Sequence, residues 1–239
     1  VIMKRKADNS LIFSPPPLGT VLWLPGLPGA GTKIYDRSPY GNHGTITGAT
    51  WKFNGRIWYL DYDGTDDWVL IGTNLAAFNI TVFHYHCWFK LDVLETNKTL
   101  FSSYDYDGVN EYGFICWPSN VNKLMLRLSA GVGGNFTTCV GDTTLIADKW
   151  YCADFVNASA TSHLLYLNGA LDKSETTNFT VTFNALCKVL LGASHESSGD
   201  AYVNKLNGQQ ALESFENVVP TATQVAKKFA EEKSLLGVV

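Results

Sequence analysis

Lys123-Leu124-Met125-Leu126-Arg127-Leu128 puts leucine at every second position, so Leu124, Leu126 and Leu128 share one face of an extended chain. Half-buried antiparallel strands have this alternation. Working outward, short β-rich runs recur between Gly, Asn and Asp clusters: 45–53, 57–63, 67–71, 79–92, 97–104, 111–117, 123–129, 135–140, 149–156, 162–167, 178–183, 187–193 and 201–206. Many short strands with frequent turns predict a sandwich or a barrel. Asp63-Gly64 and Asn168-Gly169 suit tight hairpins, because Gly accepts positive φ and Asn and Asp tolerate it better than most residues.

The ends of the chain read differently. Residues 1–20 carry Lys4-Arg5-Lys6 and Ser14-Pro15-Pro16-Pro17, a composition that predicts an extended N-terminal arm. One domain follows, over 21–239, closing with a short helix over 221–236. Thr221-Ala222-Thr223-Gln224 after Pro220 offers a capping box. Val225 and Phe229 would form its apolar face, with Lys227, Lys228, Glu231, Glu232 and Lys233 in solvent.

Of the 239 residues, 46% are hydrophobic and 17% charged, which is enough apolar surface for a sizeable core and far from the composition of a disordered chain. The net charge of −4 gives polyanions no general attraction, so nucleic acid is not an expected partner. No apolar stretch approaches the roughly 20 residues of a membrane span, and no apolar h-region marks the N-terminus. The five cysteines, Cys87, Cys116, Cys139, Cys152 and Cys187, show no CxxC spacing, and most are expected to be free thiols.

The order of local patterns from Val21 to the final helix resembles the laminin-G-like jelly-roll domains of the concanavalin A-like superfamily. Leu22-Trp23-Leu24 is followed by a D-x-S-x-x-x-N-x-G turn at Asp36–Gly44, and then by Gly48-Ala49-Thr50-Trp51. Leu60-Asp61-Tyr62-Asp63-Gly64-Thr65-Asp66-Asp67-Trp68-Val69 is similar to the family's F-D-G-x-D-D-Y-V hairpin. Thr81-Val82 with Cys87-Trp88-Phe89-Lys90, then Trp150-Tyr151 and Leu165-Tyr166-Leu167-Asn168-Gly169, match later family strands. The resemblance implies an all-β, two-sheet antiparallel jelly-roll sandwich, with Trp51, Trp88 and Trp150 as core fillers.

The resemblance also implies a calcium site, with Asp36 and Asn42 and the carbonyls near Gly41 and His43 as ligands. Ala211 stands where the family's late strand is often acidic, and Asp36 and Asn42 equally suit plain turn formation. Enzymatic activity is not expected. Asp61, Asp63, Asp66 and Asp67 lack the E-x-D-x-x-E pattern of related glucanases and read as turn chemistry, and no nucleophile elbow or nucleotide loop is present. His84 and His86 share a strand face, but no Cys or carboxylate at ligand spacing accompanies them, so they read as a surface or core-edge pair.

Two roles remain. One is a carbohydrate-binding or adhesive module, with Tyr104, Asp105, Tyr106, Asp107, Asn110 and Tyr112 as the stretch best suited to stack on and hydrogen-bond a glycan. The other is a structural subunit of a virion, tail or cell-surface assembly, its arm docking on neighbouring protein subunits and the chain forming a homo-oligomer. Both place the protein outside the cell or on a virion surface. Sequons at Asn79, Asn97, Asn135, Asn157 and Asn178 fit an exported chain.

Overall fold

A computed structural model describes residues 3–5, 11–13, 19–26, 28, 31–95, 97–119, 121–131, 133 and 135–238. Its strands are β1 (Met3–Arg5), β2 (Leu11–Phe13), β3 (Thr20–Leu24), β4 (Lys33–Ile34), β5 (Gly44–Thr47), β6 (Thr50–Phe53), β7 (Trp58–Asp63), β8 (Trp68–Thr73), β9 (Phe83–Leu91) and β10 (Phe101–Tyr106). They continue as β11 (Glu111–Pro118), β12 (Leu124–Gly131), β13 (Phe136–Val140), β14 (Trp150–Ser159), β15 (Ser162–Leu167), β16 (Ala170–Glu175), β17 (Lys188–Leu191), β18 (Ser194–Glu196), β19 (Ala201–Val203) and β20 (Asn207–Glu216). The helix α1 (Ala222–Glu232) and a 3-10 turn at Lys233–Leu235 follow.

These strands build the expected sandwich. One sheet has ten strands, ordered β13-β12-β11-β10-β17-β8-β5-β4, with β18 and β19 attached beside β10. The other has eight, ordered β16-β15-β14-β9-β20-β7-β6, with β3 also on β20. In the arm region, Met3–Arg5 and Leu11–Phe13 pair as a small antiparallel ribbon rather than running as one extended arm. The prolines 15–17 lie outside the described residues.

Period-two alternation fills the space between the sheets. Phe83, Tyr85, Cys87 and Phe89 point inward from β9, and Leu124, Leu126 and Leu128 from β12, as their spacing predicts. Aromatic rings dominate the centre: Phe83 and Phe114 stack at 4.2 Å and Tyr85 and Phe101 at 4.4 Å between centroids. The run 45–53, read as one strand, is two. Gly48 sits at φ +72° and turns the chain so that β5 joins one sheet and β6 the other.

Between Ala211 and Ser214 the pairing of β20 with β9 slips at a bulge where Leu212 adopts φ +54°. The first part of β20 pairs with β7 and the last with β3. The bulge also keeps Glu213 and Phe215 directed at the core while Ala211 and Leu212 face a second cluster under the helix.

The helix starts as its sequence predicts. Thr221 caps the Gln224 N–H, and the Gln224 side chain accepts from the Thr221 N–H. Val225 packs on Val156 and Tyr166, and Phe229 stacks on Trp88 at 5.6 Å. Its solvated side is narrower than expected, because Val225, Lys228, Phe229 and Glu232 share the stripe facing the sheet. Glu232 is buried, and Lys228 reaches Ser214 Oγ at 2.8 Å. The helix therefore covers His84 and His86, which are buried rather than at the surface or core edge. Trp88 lies between sheet and helix, and Trp150 is only half-buried, so of the three tryptophans only Trp51 packs against the main core.

Candidate functional site

On the eight-stranded sheet, every second residue faces away from the core, and strand register aligns those residues across the sheet. Trp150 of β14 pairs with Lys90 of β9, Lys90 with Gln209 of β20, and Gln209 with Asp61 of β7. Tyr59, two residues before Asp61, shares that face. Its ring meets the Trp150 ring edge-on at 5.6 Å, although β9 and β20 separate their strands. Both rings therefore lean across the sheet, and both stay partly exposed. Leu235, Leu236 and Val238 of the C-terminal segment pack into the same cluster and wall the platform on one side.

The polar half is tied by one amide. Gln209 Nε2 donates to Asp61 Oδ1 at 2.6 Å and to Asp92 Oδ1 at 3.0 Å. Gln209 Oε1 is buried with no hydrogen-bond partner among the described residues. Lys52 Nζ lies 3.9 Å from Asp61. Burial, then the charges of Asp61 and Asp92, raise the Tyr59 phenol above its ordinary value. Two rings, two carboxylates and flanking lysines thus share this face: rings for the C–H face of a sugar, polar groups for its hydroxyls.

Sequence reasoning assigned Trp150 to the core and Asp61 to a turn and did not single out Gln209 or Asp92. These residues are spread over more than half of the chain, and only sheet order unites them.

The Asp36 turn is a compact unit. Asp36 Oδ1 accepts the Trp23 and Ser38 N–H groups, each at 2.8 Å, and Oδ2 accepts Ser38 Oγ–H at 2.6 Å and Asn42 N–H at 2.7 Å. Asn42 Nδ2 donates to the Val21 carbonyl, the Gly41 carbonyl accepts His43 N–H, and His43 Nδ1 accepts Asp36 N–H. Four donors on one carboxylate fit an organiser of the turn against β3. They do not present the six to eight free oxygens that calcium takes.

The stretch from Tyr104 to Tyr112 forms the end of β10, a turn and the start of β11. Tyr104 is buried against Ile115 and Trp117, and Asp105 is buried against His195, Asn184 and Ser197. Asp107 closes the turn by accepting from Val109 and Asn110, Asn110 Oδ1 accepts from Gly133, and Tyr106 donates to the Gly108 carbonyl. Tyr112 is half-buried. The fold brings all six together, with most of their polar groups already engaged. Asp63, Asp66 and Asp67 likewise close a hairpin turn, Asp63 accepting from Thr65 and Asp67 from the Asp63 N–H.

A small cavity at the β6–β7 edge is lined by Trp51, Tyr62, Gln210 and Glu213 and has room for about one water. It is too small for a sugar.

The family model for the laminin-G type of the concanavalin A-like lectin/glucanase superfamily matches residues 63–209. Among solved structures, the binding domain of Paraclostridial Mosquitocidal Protein 1 is 14% identical at a TM-score of 0.65, covering 88% of this chain and 52% of that one. Domain 4 of an extracellular arabinanase from Geobacillus stearothermophilus, in complex with arabinotriose, is 16% identical at a TM-score of 0.57 and covers 81% of this chain and 88% of that one. The Trypanosoma rangeli sialidase, in complex with sialic acid, is 11% identical at a TM-score of 0.65 and covers 98% of this chain and 36% of that one. At such identities the likeness is one of fold, and this chain spans about half the length of the toxin domain it matches. No curated protein sequence matches the chain. No described helix is long and apolar enough to cross a membrane. Two antiparallel sheets in jelly-roll order and a family match over more than half of its length establish that the chain belongs to the concanavalin A-like lectin/glucanase superfamily.

Proposed function

We propose that the chain is a non-catalytic carbohydrate-binding module that holds its glycan on the outer face of the eight-stranded sheet. The observation that carries this reading is the Tyr59–Trp150 pair, two partly exposed rings leaning together beside Gln209, Asp61 and Asp92. Partly exposed rings on a sheet face suit an internal or terminal sugar presented on a larger molecule. Relatives of similar fold solved with arabinotriose and with sialic acid support a sugar as ligand.

A glycan array followed by calorimetry on the best hit tests it. Trp150→Ala and Tyr59→Ala are each expected to weaken binding about two- to tenfold, the range of one lost aromatic contact. Tyr106→Ala, on the other sheet, leaves affinity unchanged, and no reducing ends appear on prolonged incubation. Full affinity in the Tyr59/Trp150 double variant would move the glycan elsewhere.

A further inference from the structure

Beneath α1 the outer face of the eight-stranded sheet carries a second, fully enclosed group of side chains. His84 and His86 alternate on β9, Cys152 and Asp154 alternate on β14, and register sets Asp154 opposite His86. All four are at most 2% exposed. His84 Nε2 lies 2.7 Å and His86 Nδ1 2.8 Å from the same oxygen, Asp154 Oδ1. Cys152 Sγ is 4.0 Å from His86 Nδ1. The second carboxylate oxygen, Asp154 Oδ2, is buried and has no hydrogen-bond partner among the described residues.

The far side of each imidazole also meets a carboxylate. His84 Nδ1 is 3.3 Å from Glu216, and His86 Nε2 is 2.9 Å from Glu232 of the helix, which also accepts the Trp88 indole N–H at 2.7 Å. Carboxylates in those positions hold protons on the far nitrogens and turn the lone pairs of the near nitrogens toward Asp154. Two lone pairs and a carboxylate oxygen facing one another require something positive between them. Either a proton on each imidazole or a single cation satisfies that requirement.

We propose that His84, His86 and Asp154, whose ligand atoms all lie within 4.8 Å of one another, form a site for a divalent ion of the zinc class. Two imidazoles and a carboxylate are a donor set that zinc favours, and the i, i+2 spacing of the histidines on β9, with Asp154 opposite on β14, places the three on one face. Bonds of about 2.0–2.3 Å put neighbouring ligand atoms about 3.3–3.7 Å apart, so the nitrogen–oxygen contacts open by roughly half an ångström on binding. Any proton held between the near nitrogens and Asp154 leaves to solvent when the ion binds. Glu232 makes the site a clamp for α1, since it orients His86 from the helix.

The test is a cobalt(II) titration of the full chain after chelator treatment, followed by zinc. One equivalent of cobalt is expected to give visible bands shifted and intensified relative to the free aqueous ion, abolished by one equivalent of zinc. Asp154→Asn removes these bands, Cys152→Ser keeps them, and Glu232→Gln weakens binding about 10- to 100-fold. Bound zinc raises the midpoint of thermal unfolding. A cobalt spectrum no different from the free aqueous ion overturns the proposal, as does a wild-type spectrum unaltered in the Asp154→Asn chain.

Discussion

Two carboxylates show how position decides what the same chemistry does. Asp36 serves four donors from three neighbouring backbone segments and one hydroxyl, so Asp36→Ala strips acceptors from groups that stay enclosed. A loss of about 3 kcal/mol in urea unfolding is expected, since each stranded donor costs about 1–3 kcal/mol and part of the loop reaches water. Calcium is expected to leave the wild-type midpoint unchanged. Glu213 is the opposite case: it faces the core, where burial raises its carboxyl well above the ordinary 4.5 against the opposing hydrogen bond from Tyr85. The folded chain keeps a proton that the unfolded chain releases above that value, so this contribution is complete below it and declines as pH rises. Glu213→Gln is therefore expected to gain stability relative to wild type as pH rises from the ordinary 4.5 to neutrality. A parallel pair of melting curves across that interval would contradict the assignment.

At the scale of elements, the alternation in β12 and the capping box of α1 were readable in the chain because each rests on neighbours a few residues apart. Thr221→Ala is expected to cost about 1 kcal/mol and to speed amide exchange at Gln224 and Val225 selectively. The helix's buried stripe was less legible. Lys228 and Glu232 look like solvent residues until Ser214, Glu216 and His86 are placed beneath them. The division of 45–53 was hidden for a related reason: a glycine in a β-rich run permits a turn, and only the two separate sheets show that it is used. Likewise, β9 reads as a half-buried strand but is buried on both faces, because the helix covers the side that carries His84, His86 and Trp88.

For the whole molecule, closure of the sandwich is testable through its thiols. All five cysteines are free and buried, so a thiol reagent is expected to modify none in the folded chain and five after denaturation. Early modification of even one would show an opening that the packing does not allow. The fold class, the single C-terminal helix and the chain order of the family followed from sequence, because strand alternation, turn residues and caps are local physics repeated along the chain. The platform of Tyr59, Trp150 and Gln209, and the cluster of His84, His86, Cys152 and Asp154, did not. Contacts join residues 66 to 70 apart in the cluster and up to 148 apart on the platform. Composition and spacing carry no record of which strands become neighbours. Sheet order and register decide that, through the burial of opposite faces, and so the tertiary structure alone determined which side chains meet.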